Sequence, residues 1–256
     1  MANWPDPQTN STGFGHVDAG APAASFDAGL RAHMLSIYNY MASGVLLTGI
    51  VALLFVNSPL FGLAYRVQET SRGLVVGPTL LGWLITLAPL AFVFAMSFGQ
   101  ARMKTSTLQT LFWAYAVSVG LSLSTIFLVY TGTSIAQTFF ATAAAFAGLS
   151  LFGYTTKKDL SGLGTFLIMG VFGLLIAMLL NIFLKSTFMD LSISALGVLI
   201  FAGLTAYDTQ KLKNIYAQVA GTEWQGKSVI MGALNLYLDF LNMFLFLLRF
   251  MGNSRN

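Results

Sequence analysis

Two carboxylates stand where an apolar chain should not put them. Asp208 lies between the apolar run and the lysines of "FAGLTAYDTQKLK", residues 201–213, and Asp239 lies inside "LNLYLDFLNMFLF", residues 234–246. A carboxylate in such surroundings is costly and has to face protein or a water-filled cavity. Asn235, Asp239 and Asn242 recur at i, i+4 and i+7, so they form one polar stripe on a helix. Thr205 and Gln210 flank Asp208. Two carboxylates within hydrogen-bond reach cannot both ionise cheaply, so such a pair shares a proton near neutral pH. It is also a weak cation site. Calcium takes six to eight hard oxygen ligands, and Asp208, Asp239, Asn235, Asn242 and Thr205 supply only part of such a shell, with water completing it. Simpler roles are open too. Asp208 can sit at headgroup level beside Lys211 or Lys213, and Asp239 can bond backbone within a bundle. Arg102, at the end of an earlier apolar run, is a candidate latch that reaches Asp208.

The remaining acids sort without difficulty. Asp6, Asp18 and Asp27 belong to a polar N-terminal stretch, Glu69, Asp159 and Glu223 to loops, and Asp190 caps or precedes the sixth apolar run.

The elements that must position the two acids are membrane spans. Of the 256 residues, 56% are hydrophobic and only 9% are charged, against about 25% charged in a soluble domain. The mean hydropathy is +0.73. A helix needs roughly 20 apolar residues to cross the hydrocarbon. Seven runs qualify, opening near Ile37, Val75, Leu108, Ser134, Gly162, Leu191 and Met231. The third and fourth share one charge-free stretch, Thr105 to Thr156. A single helix of that length would reach about 78 Å, so "YTGTS" at 130–134 is read as a turn. The expected class is an all-α polytopic membrane protein of seven spans, with six as the rival count if the last run lies in the interface or re-enters. A β-barrel is disfavoured because the runs lack period-two alternation. Residues 1–27, rich in Gly, Pro, Ala and Ser, read as a disordered tail, and 28–252 as the membrane domain.

Basic residues suggest the orientation. With the N-terminus in the cytoplasm, Arg31, Arg102, Lys104, Lys157, Lys158, Lys211, Lys213 and Lys227 lie inside, and Arg66, Arg72, Lys185, Arg249 and Arg255 outside. The excess inside favours this arrangement. Both acids then approach the cytoplasmic side, since spans six and seven are joined there. "TAAAFAG", "GVFG" and "FAGLTA" permit close helix contact in lipid. Pro78 and Pro89 are both expected to kink span two.

Several functions are disfavoured. The bases are scattered over short loops, which gives no nucleic-acid patch. There is no cysteine, and His16 and His33 are the only histidines. The H-E-x-x-H helix of metalloproteases is absent, as is a GxSG serine site with a histidine to serve it. No lysine lies in the body of a span, so a retinal Schiff base has no anchor. The chain is therefore read as a non-enzyme without a cofactor beyond weak calcium binding. A proton-coupled cation transporter is the main alternative to a channel, and a regulatory membrane protein is a third reading.

"YDTQ" (Tyr207 to Gln210), "LNLYLDFLNMFLFLLR" in the last span and "RAHMLSIYNYMASGV" at the start of the first together resemble the Bax inhibitor, or transmembrane Bax inhibitor motif, family, in particular its bacterial branch. The resemblance covers about residues 28 to 252. It implies a seven-helix bundle with the last helix central, sited in the inner membrane. It implies a pH-sensitive calcium leak channel controlled by an aspartate pair, which maps onto Asp208 and Asp239, with Arg102 as the counterpart of a span-two arginine that closes on the sixth-span acid. Some relatives carry an acid within span two that is linked to ion passage, whereas Val75 to Ser97 here holds none. Bacterial relatives are also associated with membrane protein quality control, which implies an inner-membrane protease as a partner beside lipid and calcium ions.

Overall fold

In lipid every backbone polar group has to be satisfied within its own segment, which leaves helices as the form for long apolar runs. The computed structural model describes residues 20–70 and 73–253. Its elements, in order, are α1 (Gly20–Val56), α2 (Phe61–Ala64), β1 (Tyr65–Thr70), β2 (Gly73–Pro78), α3 (Leu80–Gly99), α4 (Thr105–Leu123), α5 (Ile126–Val129), α6 (Gly132–Thr155), α7 (Ser161–Leu184), α8 (Thr187–Val219) and α9 (Trp224–Met251). Seven segments are long and apolar enough to cross a membrane, with α4 and α5 together making the third. The last run is a full helix, so the count is seven and not six.

The bundle is built around α9. Its most apolar window is 61% buried, against 11–39% in the other spans. Its main neighbours are α1, α4, α6 and α8, while α3 leans on α4 and α7 on α8 in an outer layer. Tyr115 of α4 and Tyr237 of α9 meet edge to face at the centre, 5.1 Å between centroids. The Tyr237 hydroxyl is 2.6 Å from Thr48 Oγ1 of α1, which also donates toward the Ala116 carbonyl of α4 at 2.9 Å. One hydroxyl pair thereby joins three helices. Other buried hydroxyls donate to the carbonyl four residues back, as Thr142 and Thr205 do; this satisfies a polar atom without a partner from another helix.

Local sequence explains the breaks. Thr131 caps α6 by accepting from Ser134 N at 3.3 Å, at the expected "YTGTS" turn. Lys185 ends α7 in the left-handed region, φ 49°, and Ser186 caps α8. Gly221, φ 74°, turns α8 into α9, a conformation that glycine adopts without a Cβ penalty. The end of α9 is tied back to the start of α6, where Asn253 N donates to Ser134 Oγ at 2.9 Å.

Two sequence expectations change. Span two was expected to begin at Val75 with Pro78 as a kink. Residues 73–78 instead form β2, paired antiparallel with β1 from Tyr65↔Pro78 to Thr70↔Gly73. Pro78 ends that strand, where its missing N–H is tolerated, and Thr79 caps the helix by accepting from Gly82 N at 3.3 Å. Only Pro89 lies inside α3. Secondly, α1 reaches back to Gly20, so residues 20–27 of the expected tail are helical; residues 1–19 lie outside the described residues.

Candidate functional site

Asp208 and Asp239 reach the same place from antiparallel neighbours. On α8 the apolar run ends at Asp208, but the helix continues through Val219. That puts Asp208 about 16 Å before the α8 C-terminus at 1.5 Å per residue, within the helix and not at its cap. On α9, Asp239 lies past the helix midpoint. The two carboxyls come within hydrogen-bond reach of each other. Asp239 is only 4% exposed, and its Oδ2 has no hydrogen-bond partner among the described residues. Asp208 is half-buried. A buried polar atom without a partner is rare in proteins, and here it belongs to a carboxyl facing another carboxyl.

The surroundings divide into groups that reach the pair and groups that do not. Lys211, one turn beyond Asp208, is the cation whose charge bears on both acids; its ammonium is exposed and lies 5.8 Å from the Tyr207 ring centroid. Lys213 turns the other way and donates to the Tyr154 carbonyl at 2.9 Å. Thr205 is fully buried, and its hydroxyl donates to the Phe201 carbonyl at 2.8 Å. Asn242 likewise donates to Leu238 O at 2.8 Å. Asn235 is half-buried, one turn before Asp239. The polar stripe on α9 is present in register, but only Asp239 within it is buried.

Arg102 is not brought to Asp208. It is exposed in the α3–α4 turn, and the only ion pair among the described residues is Asp190 with Arg249. That turn is held instead by Lys227 of α9, which donates to the Gln100 and Ala101 carbonyls at 3.1 and 3.3 Å. Among the described residues no cluster of three His, Cys, Asp or Glu side chains could hold a metal, so a cation at the acids would have two carboxylates and neutral oxygens.

Three features escaped the sequence reading. Tyr38 of α1, Ser150 of α6 and Thr209 of α8 form a hydroxyl chain, with 2.5 Å and 2.9 Å steps, ending on the residue after Asp208. At the opposite end of the bundle, Asp190 forms a two-pronged pair with Arg249, Nε to Oδ2 being 3.0 Å, and so joins the start of α8 to the end of α9. His33 is buried 5.1 Å from the Tyr216 ring. Single serines and threonines in apolar runs carry no signal of cross-helix bonding, but the opposite charges of Asp190 and Arg249, at opposite ends of antiparallel neighbours, could have been paired.

Comparison with known proteins fits this architecture. Residues 30–256 match the family model described as inhibitor of apoptosis-promoting Bax1. The chain is 44% identical to the uncharacterized protein RP147 of Rickettsia prowazekii over 91% of its own length and 94% of that protein. It is 45% identical to an uncharacterized protein of Caulobacter vibrioides, covering 90% and 92%. It is 43% identical to the inner membrane protein YbhL of Escherichia coli K12, covering 89% and 94%. With the family model spanning nearly the whole seven-helix domain, the chain belongs to the Bax inhibitor family of membrane proteins.

Proposed function

We propose that the protein is a pH-sensitive cation leak of the inner membrane, passing calcium, with Asp208 and Asp239 as its gate. The inner-membrane siting follows the printed name of the Escherichia coli relative, and the cytoplasmic N-terminus follows the excess of basic residues on that side. One observation carries the reading: two acids from α8 and α9 meet within hydrogen-bond reach, and the deeper one is 4% exposed with an unpartnered oxygen.

The mechanism follows from like charges. A shared proton holds the two carboxyls together and keeps α8 against α9. When both are charged they repel, and hydration favours their separation. Two unit charges about 4 Å apart, at an effective dielectric of about 20, interact by about 4 kcal/mol, a bias of roughly a thousandfold between two packings. Separation of the helices opens Asp239 to water and gives a passing cation two carboxylates, with Asn235, Asn242 and Thr205 as neutral oxygens nearby. Weak occupancy suits conduction, because the ion must also leave. Arg102 stands away from Asp208, in a turn held by Lys227, so the gate is argued from the two acids without it.

The test is calcium flux into vesicles holding the purified protein, measured across pH. The reading expects flux that rises with pH in the unaltered protein and a flattened profile in Asp208→Asn and Asp239→Asn. The same pH profile in all three proteins sinks the gate. Calcium accumulation against its gradient on imposing a proton gradient would point to a coupled transporter instead.

A further inference from the structure

A cleft of about 630 Å³ runs between α1 and α6 with Phe240 of α9 at its back. The volume falls in the range of sites that hold small organic molecules, about 300–1,000 Å³. Its walls are apolar for most of their length, with Met34, Met41 and Val45 on one side and Phe139, Ala143 and Phe146 on the other. Both walls belong to membrane spans, so the cleft opens at hydrocarbon depth. Along α1 it runs from Arg31 to Leu46, about 22 Å at 1.5 Å per residue. One leaflet of a bilayer with a core of about 30 Å contributes about 15 Å, so the cleft is long enough to take an acyl chain from its glycerol end to its tip.

Its polar groups are gathered at one end. Arg31 lines the mouth, is exposed and makes no ion pair among the described residues, Asp27 one turn earlier included. Tyr154 lines the same end, and its ring and carbonyl carry the Lys213 ammonium, 5.2 Å from the centroid and 2.9 Å from the oxygen. One cation, Arg31, therefore stands at one end of an apolar slot whose other end is hydrocarbon, and Lys213 is tied to that end only through Tyr154. That polarity matches one occupant: a phospholipid with an anionic headgroup. We infer that one anionic phospholipid of the leaflet nearest the α1 N-terminus seats an acyl chain between α1 and α6, with its phosphate held by Arg31. The seated chain lies against Tyr38 and Ser150, whose hydroxyls are 2.5 Å apart.

The full chain is purified in detergent, exchanged into mixtures of phosphatidylglycerol and phosphatidylcholine, and weighed intact by native mass spectrometry. The unaltered protein is expected to keep one phosphatidylglycerol in preference to phosphatidylcholine. Arg31→Gln is expected to lower that preference about fivefold, the weight of one basic residue at an anionic surface, while still admitting a chain. Ala147→Phe and Ala42→Phe fill the slot from its two walls; both alanines are exposed there, so neither change disturbs the core. Each is expected to lower retention of both lipids, with melting temperature and elution volume unchanged. Equal retention of the two lipids by all four proteins overturns the site. So does a dimer mass without lipid, which would show that a second copy of the chain fills the cleft.

Discussion

Gly153 of α6 rests directly on the backbone of Ala206 of α8. A Cβ at Gly153 would stand 2.9 Å from the Ala206 carbonyl carbon and overlap its oxygen. The contact lies two residues from Asp208, and one turn away Ser150 Oγ meets Thr209 Oγ1 at 2.9 Å. The close approach sets the distance of α8 from α6, and the hydroxyl bond sets its rotation. Together they turn Asp208 toward α9.

Gly153→Ala should therefore destabilise the bundle by about 1–3 kcal/mol, the usual effect of overpacking. Gly148 has nothing within 4 Å of an added Cβ, and Gly148→Ala should stay within about 0.5 kcal/mol. Thermal unfolding in detergent separates them. Equal losses would remove the close-contact argument.

If the two acids act as one unit, their substitutions should not add. Asp208→Asn, Asp239→Asn and the double variant should flatten the pH profile of calcium flux to similar extents. A double variant showing the sum of two separate effects would mean that the acids titrate independently.

Tyr237 is fully buried, and its hydroxyl meets Thr48 Oγ1 at 2.6 Å. Tyr237→Phe keeps the ring packing on Tyr115 and removes that bond, so it should lower stability by about 0.5–1.5 kcal/mol. In a Thr48→Val background the same change should have a smaller effect. An unchanged effect there would show that the bond contributes nothing.

Asp159 accepts from Ser161 N at 2.9 Å and from Ser161 Oγ at 3.0 Å at the start of α7. These two donors hold its carboxyl below the usual carboxylate range. A group with a depressed folded-state value stabilises above its unfolded value and loses that contribution as pH falls through the folded one. Asp159→Ala should thus melt lower than the unaltered protein at neutral pH, and the gap should close in acid. A gap that persists below the carboxylate range would assign the effect to something other than this charge.

Asp190 and Arg249 have side chains 33% and 40% exposed. Water screens such a pair, so a double-mutant cycle should give a coupling of about 1 kcal/mol or less, shrinking as salt is raised. A larger, salt-insensitive coupling would make this pair a structural lock between α8 and α9.

Much of this protein was legible in its residues. A low share of charge and seven apolar runs dictate a seven-span helical bundle, because lipid offers the backbone no partners. The Thr131 turn was equally plain. The hairpin was not: Val75 and Val76 lengthen the second apolar run, and only pairing with β1 marks them as strand. Nor was the true end of α8, because polar residues after Asp208 look like a loop until packing on α6 keeps them helical.

By itself the sequence determined that two acids would lie in adjacent apolar helices, since in so sparsely charged a chain every carboxylate can be placed by elimination. Which groups surround them was decided by the tertiary structure. It pairs Asp208 with Asp239, brings Lys211 to bear on them, and leaves Arg102 apart. The reason is geometric: helical periodicity fixes the faces of one helix, while the rotation and depth of one helix against another depend on contacts such as Gly153 on Ala206, made between residues far apart in the chain.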